Sequence, residues 1–394
     1  MFETCRVGIF VDMTAGELIK LIPQDTFQKL AVETRVDNQV KKLSGEVMFK
    51  LILFSMLGSE KLSLRVMESF LQSCRFKSFS KYDILEGKYN SIRDRICSIT
   101  PLYFEKLFET IFATYNKELR EERALSKVDS TYVALSAKLF NSGMLNGDND
   151  KRFLKYSVQL KGSLPAKIKV FAAQSYVSED LALTDIVNDN DSLKGNTVVF
   201  DRGIQSRSSF ESFSDSNKWF ITRSKLDIRC KVCKTNNILD KPQGSTVTII
   251  SDEVGKLTSG RAKDTRHLYR VIKARIDTSG EIICFVTNML EEDAYQVAGW
   301  YKQRWEIELF FKFIKQHLNV KHLVCRDENG IKVMIYMTMI VAILIIAYKK
   351  INGLKGFKIP KLRFEIELEN DIIKEIVKMC GGDPEKAAGL FSSA

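Results

Sequence analysis

The stretch that most constrains this chain covers residues 301–316 and reads YKQRWEIELFFKFIKQ. Apart from Gly330, neither glycine nor proline occurs between residues 301 and 331, so the sequence predicts a helix. At 100° per residue, four polar side chains of different chemistry fall within an arc of about 60°. They are Tyr301, Arg304, Glu308 and Lys315.

Apolar side chains flank that polar stripe instead of forming one face opposite to it. One side carries Trp305, Leu309 and Phe313, and the other carries Ile307, Phe310, Phe311, Ile314 and Leu318. A helix on a protein surface normally has a single apolar face. We therefore predict a helix that is buried on several sides and opens its polar stripe into a groove.

Two interpretations of the stripe are open. Arg304 and Glu308 are four residues apart, the spacing of an ordinary ion pair on a surface helix. The full spacing, Tyr-x2-Arg-x3-Glu-x6-Lys, resembles the signature of one group of bacterial DDE transposases, the family of insertion sequence four. The resemblance implies that Glu308 is the last catalytic carboxylate. It also implies that Tyr301, Arg304 and Lys315 touch DNA at the transposon ends. From their shared arc with Glu308 we predict that Arg304 and Lys315 are ligands of DNA phosphates and not partners of Glu308 in a structural ion pair.

Such a transposase needs two aspartates upstream, each at a strand end. Asp129 lies in the apolar strand pattern KVDST, and Asp201 ends the run VVFD before Arg202 and Gly203. Either aspartate alone can cap a turn. Together with Glu308 they complete the catalytic set that the resemblance implies. One departure is Ile204, since many relatives carry an aromatic residue there.

Carboxylates in this number suit magnesium, which prefers hard oxygen ligands and keeps several waters. Asp129, Asp201 and Glu308 are the predicted metal ligands. We expect two Mg²⁺ ions, for which Mn²⁺ can substitute, because a two-metal site activates the attacking oxygen and stabilises the leaving one. A zinc site at the lone CxxC, Cys230 to Cys233, would need two more ligands, and zinc is not expected.

Composition fits a globular nucleic-acid-binding protein. The 394 residues carry a net charge of +11, with 45% hydrophobic residues and only 6 prolines. Such a basic chain indicates an anionic partner, although charge kept for solubility alone is the alternative. Eight scattered cysteines are typical of reduced cytosolic thiols, and the N-terminus shows no signal-peptide pattern. We expect a cytoplasmic, nucleoid-associated bacterial protein.

The pattern along the chain predicts an α/β protein of three parts. Residues 1–120 form a helical end-binding DNA domain, followed by a charged hinge, Glu121-Glu122-Arg123. Residues 121–350 form a catalytic core whose order of strands and helices resembles the ribonuclease H-like fold, with a mostly β insertion at about 225–290. Residues 351–394 form a helical tail. The apolar run 333–348 is shorter than the roughly 20 residues that span a bilayer, so it is predicted to be a core helix.

Residues 87–96 read GKYNSIRDRI and begin a predicted basic helix. Short polar and basic side chains at a helix start suit a recognition helix in a DNA groove, although an ordinary surface helix has the same pattern. The resemblance favours the DNA interpretation. The predicted DNA contacts of this helix are Lys88, Asn90, Arg93 and Arg95.

The leading hypothesis is a cut-and-paste transposase that acts on paired ends, which makes a homodimer expected. Cleavage through a DNA hairpin, which the family uses, would need an aromatic residue to stack a flipped base. No aromatic residue is assigned to that role, because Trp219, Trp300 and Trp305 are expected in the core. The alternatives are a metal-dependent nuclease without strand transfer and a transposase-derived DNA-binding protein with an idle site.

Overall fold

The computed structural model describes residues 13–82, 86–119, 125–134, 143–145, 152–258, 263–318, 324–325 and 327–388. Two compact units divide the chain. The helical unit comprises residues 1–121, 135–142 and 312–394, and the sheet unit comprises residues 122–134 and 143–311. The predicted hinge at 121–123 lies outside the described residues.

Helices and strands alternate along the described residues as follows. The helices are α1 (Ala15–Lys20), α2 (Gln24–Thr34), α3 (Gly45–Gly58), α4 (Leu64–Leu71), α5 (Cys74–Ser80), α6 (Tyr89–Ser98), α7 (Pro101–Glu118), α8 (Glu179–Asn188), α9 (Arg207–Asp215), α10 (Ala294–Lys302), α11 (Trp305–His317), α12 (Glu328–Ile351), α13 (Lys358–Met379) and α14 (Pro384–Ala388). The strands are β1 (Ser126–Ala134), β2 (Met144–Leu145), β3 (Arg152–Lys161), β4 (Leu164–Phe171), β5 (Thr197–Phe200), β6 (Trp219–Ser224), β7 (Cys230–Thr235), β8 (Val247–Leu257), β9 (Tyr269–Ile276) and β10 (Ile282–Thr287). Two short 3₁₀ helices cover Gln174–Val177 and Asp191–Leu193.

Serine side chains fix where several helices begin. Ser44 accepts the N–H of Val47 at the start of α3, and Ser63 accepts that of Val66 at the start of α4. Each hydroxyl satisfies one of the backbone donors that a helix start leaves without an internal partner. The predicted helical character of the N-terminal region is therefore confirmed.

The centre of the helical unit is α12. It is long and apolar enough to span a membrane, but 94% of its most apolar window is buried. Helices α3, α6, α7 and α13 pack around it, because a helix that is apolar on all sides must be covered on all sides. The predicted core helix is confirmed. The packing groups residues 312–394 with the N-terminal helices, a different division from the predicted core at 121–350 and tail at 351–394.

The sheet unit is built on one mixed sheet with the strand order β2-β3-β1-β5-β6-β10-β9-β8-β7, and β4 also pairs with β3. Strands β1, β5 and β6 run parallel, whereas β3 is antiparallel to both β1 and β4. Residues 225–290 are mostly β, as predicted. Their strands extend the same sheet, because β10 pairs with the free edge of β6.

Both faces of the central strands are covered. Val198 and Phe200 pack in a cluster with Leu183 of α8 and Phe210 of α9. Val199 belongs to the cluster on the opposite face. A strand that is buried on both faces has a continuous run of apolar residues. The run Val198-Val199-Phe200 therefore identifies β5 in the sequence, and Asp201 directly follows it.

Candidate active site

Asp129 lies on β1, and Asp201 directly follows the neighbouring parallel strand β5. The register pairs Lys127 of β1 with Val199 of β5. Asp129 follows Lys127 by two residues, and Asp201 follows Val199 by two. Because side chains alternate between the faces of a sheet, the two carboxylates lie at one level and on one face.

Each of these carboxylates has one oxygen engaged by a neighbouring backbone N–H. Ser130 N–H donates to Asp129 Oδ1 at 2.7 Å, and Gly203 N–H donates to Asp201 Oδ1 at 2.7 Å. Among the described residues, no hydrogen-bond donor approaches the Oδ2 atom of either aspartate. Two adjacent carboxylates that each keep one oxygen uncommitted fit a divalent cation.

The electrostatics of Asp129 also fit a cation. Burial raises the pKa of this carboxyl to about 7, the Ser130 N–H lowers it, and Asp201 and Glu179 raise it further. Arg304 is a cation that acts to lower it. Ionisation of Asp129 beside these acidic residues therefore costs free energy unless further positive charge binds nearby.

The signature Tyr-x2-Arg-x3-Glu-x6-Lys spans two helices. α10 ends at Lys302 and α11 begins at Trp305, so the prediction of a single helix over residues 301–316 is wrong. At the break, Arg304 N–H donates to Tyr301 O at 3.0 Å and Ile307 N–H donates to Arg304 O at 3.1 Å. These three-residue hydrogen bonds keep the backbone paired while the helix is interrupted without glycine or proline.

Arg304 forms an ion pair with Glu308 through Nη2 and Oε1. The prediction that these residues do not pair is therefore wrong. The reason is that Arg304 is only 16% exposed and needs an anion within reach, which the i,i+4 spacing supplies. Arg304 Nε is buried without a hydrogen-bond partner among the described residues. Although burial acts to lower the pKa of Arg304, Tyr301, Glu308 and Asp201 together raise it.

Tyr301 is largely packed into the sheet unit. Its ring lies 5.0 Å from the ring of Phe285 on β10, and the Arg304 guanidinium lies 5.7 Å from the Tyr301 ring centre. Burial raises the pKa of the Tyr301 hydroxyl. Lys315 lies on the part of α11 that belongs to the helical unit, and its DNA contact stays a prediction.

The three predicted catalytic carboxylates are not drawn into one cluster. Within the described ranges, no three Asp, Glu, His or Cys side chains form a ready group for a metal ion. Asp129 and Asp201 are together, whereas Glu308 is held by Arg304. The aspartate pair is therefore the part of the site whose geometry fits a metal directly.

The predicted DNA contacts on α6 divide into two kinds. Lys88, Asn90 and Arg93 are exposed, and Arg93 pairs with Asp94 at 2.8 Å. Arg95 is only 12% exposed and donates to the carbonyl oxygens of Leu43 and Val36, both at 2.8 Å. This internal role contradicts the predicted DNA contact of Arg95. The side chain turns inward because it shares the buried face of the helix, three residues after a buried isoleucine.

The tryptophans are less buried than predicted. Trp305 is 57% exposed and Trp219 is 37% exposed, so the prediction that they lie in the core is wrong, whereas Trp300 is half-buried. Trp305 directly follows Arg304, so its exposed indole ring lies within the signature stretch. Ile204 is fully buried in the sheet core.

Two further residues near the aspartates were missed by sequence reasoning. Lys127 is a buried lysine whose ammonium contacts Glu306 of α11. Glu179 is the first residue of α8 and acts electrostatically on both Asp129 and Asp201. Neither belongs to the Tyr-x2-Arg-x3-Glu-x6-Lys signature, and the lysine at the start of the strand pattern KVDST was the one available signal.

Comparisons with known proteins agree with this geometry. Residues 161–344 match the family model of the transposase DDE domain. That match contains Asp201 and Glu308 and begins after Asp129. The putative transposase y4zB of Sinorhizobium fredii (strain NBRC 101917 / NGR234) is 30% identical over 171 residues, which is 43% of this chain and 46% of that protein.

Two relatives belong to named insertion sequences. The probable transposase of IS5377 from Geobacillus stearothermophilus is 24% identical over 271 residues, 67% of this chain and 68% of that protein. The putative transposase of IS4SA from Synechocystis sp. (strain ATCC 27184 / PCC 6803 / Kazusa) is 25% identical over 252 residues, 61% of this chain and 66% of that protein. The chain thus spans from about half to two thirds of the length of these relatives.

One solved structure shares the fold. The cryo-EM structure of the piggyBac transposase synaptic complex with hairpin DNA aligns with a TM-score of 0.50 at 12% identity, covering 100% of this chain and 86% of that chain. The mixed α/β sheet and the two neighbouring aspartates agree with this similarity. Residues 161–344 are similar to the transposase DDE domain, and the chain resembles transposases of insertion sequences.

Proposed function

We propose that this protein cuts DNA at the ends of an insertion sequence and joins those ends to target DNA, as a member of the family of insertion sequence four. The observation that carries the proposal is the position of Asp129 on β1 and of Asp201 directly after the adjacent parallel strand β5, with the Arg304–Glu308 pair in the same unit. The order β4-β3-β1-β5-β6, with only β3 antiparallel to its neighbours, supports a ribonuclease H-like core.

Asp129, Asp201 and Glu308 are the proposed ligands of Mg²⁺. When bound, two such ions would activate a water or a 3′-hydroxyl and stabilise the leaving oxygen. The two aspartates fit this role because each keeps one carboxylate oxygen free of hydrogen bonds from the described residues. The engagement of Glu308 with Arg304 means that Glu308 has to be released before it can join them.

Arg304 is the residue that would release it. A DNA phosphate would satisfy the buried Nε of Arg304, which has no partner among the described residues, and would offer a second charged acceptor to the guanidinium. Transfer of Arg304 from Glu308 to a phosphate would free the Glu308 carboxylate. Binding of DNA would thereby complete the metal site.

DNA is the proposed partner of the whole chain. The net charge of +11 favours a polyanion. Lys88, directly before α6, and Asn90 and Arg93 on α6 are exposed. Because cut-and-paste transfer acts on two ends at once, we propose a homodimer on paired ends. Such a protein works in the bacterial cytosol, at the nucleoid.

The test is incubation of the full-length protein with DNA that carries the inverted repeats flanking its own gene, in Mg²⁺. Denaturing gels would follow nicks, hairpins and joined products. We expect all of these with the wild type and none with Asp129→Ala or Asp201→Ala. Cleavage without any joined product would identify a nuclease, and cleavage by Asp201→Ala at the wild-type rate would refute the assigned site.

A further inference from the structure

Two cysteines from distant parts of the chain meet inside the helical unit. Cys97 lies near the end of α6, and Cys325 lies shortly before α12, 228 residues later in the sequence. Their Sγ atoms are 2.9 Å apart, and among the described residues they form the one hydrogen bond between two sulfurs. A disulfide has an S–S length of about 2.05 Å, so the two sulfurs need to approach by less than about 1 Å to form one.

A glycine makes room for Cys325 in this position. A Cβ placed on Gly330, in the first turn of α12, would lie 2.3 Å from Cys325 Sγ and 3.0 Å from Ile96 Cγ2. A side chain at this position would therefore collide with the sulfur and with α6. The N–H of Asp327 also donates to Cys325 Sγ at 3.3 Å. The close approach of the two sulfurs is thus built into the start of α12.

The two thiols differ in how easily a reagent reaches them. Cys97 is half-buried, whereas Cys325 is only 4% exposed. The first reaction with a reagent from solution therefore falls to Cys97. Burial, together with the Cys325 thiol beside it, raises the pKa of Cys97 to about 12. Because the thiolate is the reactive form, the pair reacts slowly at neutral pH and stays reduced during brief contact with an oxidant.

Thiols in a reducing compartment normally stay reduced, and a disulfide that forms there is usually transient. We propose that Cys97 and Cys325 are a redox modification site, at which a disulfide oxidant such as oxidised glutathione converts the two thiols into a reversible internal disulfide. The Cys97 sulfur attacks the oxidant and releases one glutathione thiol. The Cys325 sulfur then attacks Cys97 Sγ and displaces the second glutathione. The two cysteines lose two electrons and two protons, and the two glutathione thiols gain them.

This disulfide closes the helical unit covalently. The N-terminal helices and residues 312–394 both belong to that unit, and the whole sheet unit lies between the two cysteines in sequence. A cross-link between segments so far apart removes many conformations from the unfolded chain and so favours the folded state. The oxidised protein should therefore resist unfolding and proteolysis better than the reduced protein. The inference does not depend on the proposed function.

The test equilibrates the full-length protein with glutathione buffers that range from fully reduced to fully oxidised, until the composition is constant. Free thiols are then blocked, and mass spectrometry of tryptic digests follows the link between peptides 96–106 and 322–326. We expect this link in the wild type and its loss when dithiothreitol is added. The melting temperature of the oxidised protein should rise by about 5 °C, as the gain typical of one disulfide predicts.

Matched variants separate this pair from the other cysteines. Cys97→Ala should remove both the link and the gain in melting temperature, whereas Cys74→Ala, at an exposed cysteine of α5, should keep both. Gly330→Ala retains both thiols but displaces Cys325, so half-oxidation should need a buffer about 10-fold more oxidising. Gly299→Ala is its control, because a Cβ at that position of α10 meets nothing within 4 Å.

The outcomes decide between a redox site and two thiols that only pack together. If Cys97 takes up glutathione in the wild type but the internal link never forms, the proposal is refuted. A complete link without any change in melting temperature would refute the stabilising role. Should a variant fail to fold, the digest of the wild type still decides, because it needs no substitution. A rise in melting temperature that persists in folded Cys97→Ala would assign the effect to another pair of cysteines and overturn the inference.

Discussion

The buried ammonium of Lys127 lies 2.9 Å from the carboxylate of Glu306 and 2.8 Å from the carbonyl oxygen of Gly162. Lys127 stands two residues before Asp129 on β1, and Glu306 stands two residues before Glu308 on α11. The contact therefore joins the strand that carries Asp129, the first of the proposed catalytic residues, to the helix that carries Glu308, the last of them. Lys127 sets the position of α11 relative to β1.

Lys127→Met should slow DNA cleavage per folded molecule while leaving DNA affinity unchanged. The physical reason is that α11 loses its tie to β1, so Glu308 is less well placed. Leaving the Gly162 carbonyl without its donor should cost about 1–3 kcal/mol of unfolding free energy. Denaturant melts, single-turnover cleavage and DNA-binding titrations measure the three quantities.

Lys218→Met is the matched control for Lys127→Met. Lys218 is also buried, and among the described residues its ammonium donates only to the carbonyl oxygens of Val187 and Asn188, both at 2.7 Å. We expect a similar loss of stability with a normal cleavage rate. Equal cleavage rates in both variants would show that Lys127 has no positioning role.

Because the pKa of Asp129 is raised, we expect an unusual pH dependence of stability in the metal-free protein. Burial raises its pKa from 3.8 to about 7, with Asp201 and Glu179 facing it as acids and Arg304 as a cation. Between about pH 4 and 7 the native state therefore holds a proton that the unfolded chain has lost. The free energy of unfolding should fall as pH rises through this window, by at most about 4 kcal/mol.

Denaturant unfolding at several pH values in EDTA checks this, with Asp129→Asn beside the wild type. The substitution should remove the part of the slope that Asp129 contributes, so the two curves should diverge between pH 4 and 7. Parallel curves would mean that Asp129 ionises normally in the native state.

Local sequence patterns were sufficient to predict much of the fold. The run Val198-Val199-Phe200 is buried on both faces and predicts both the strand and the position of Asp201. The break at Arg304 could not be predicted, because no glycine, proline or cap residue marks it. The roles of Lys127 and Glu179 depend on contacts between segments far apart in sequence, and a single sequence holds no record of such contacts.

The ion pair between Arg304 and Glu308 allows a direct test of the phosphate role. Arg304→Ala should lower the free energy of unfolding by about 1 kcal/mol or less, because the Glu308 side chain is partly exposed. Cleavage should fall about 100-fold, as expected when a charge-stabilising donor is lost. Lys315→Ala should act in the same direction but more mildly, because lysine makes a point contact.

Lys361→Ala is the control for Arg304→Ala. Lys361 forms an i,i+4 ion pair with Glu365 on α13, and its exposure matches that of Arg304. We expect the same small loss of stability and normal cleavage. A large drop in melting temperature for Arg304→Ala, with normal cleavage per folded molecule, would assign Arg304 a structural role only.

Arg93 and Arg95 should differ sharply although they lie on one helix. Arg93→Ala should weaken DNA binding and lower the slope of log affinity against log salt by about 1, as the loss of one phosphate contact does. Arg95→Ala should leave that slope unchanged and destabilise the fold by about 1–3 kcal/mol, because the carbonyls of Val36 and Leu43 lose their donor. Titrations of the full-length protein at several salt concentrations, together with melts, distinguish them. The reverse pattern would place Arg95 on the DNA.

Trp305 is the exposed aromatic residue next to Arg304, and a flipped base at a DNA hairpin needs an aromatic surface to stack on. Stacking of one base is worth about 1–3 kcal/mol by alanine substitution, so Trp305→Ala should reduce hairpin formation by about 10-fold or more. Stability should change little, because the side chain is 57% exposed. Leu309→Ala, one turn along α11 and 41% exposed, removes apolar surface without an aromatic ring and should leave the hairpin yield intact. If both variants form hairpins at the wild-type rate on gels that separate nicked from hairpin ends, another aromatic residue stacks the base.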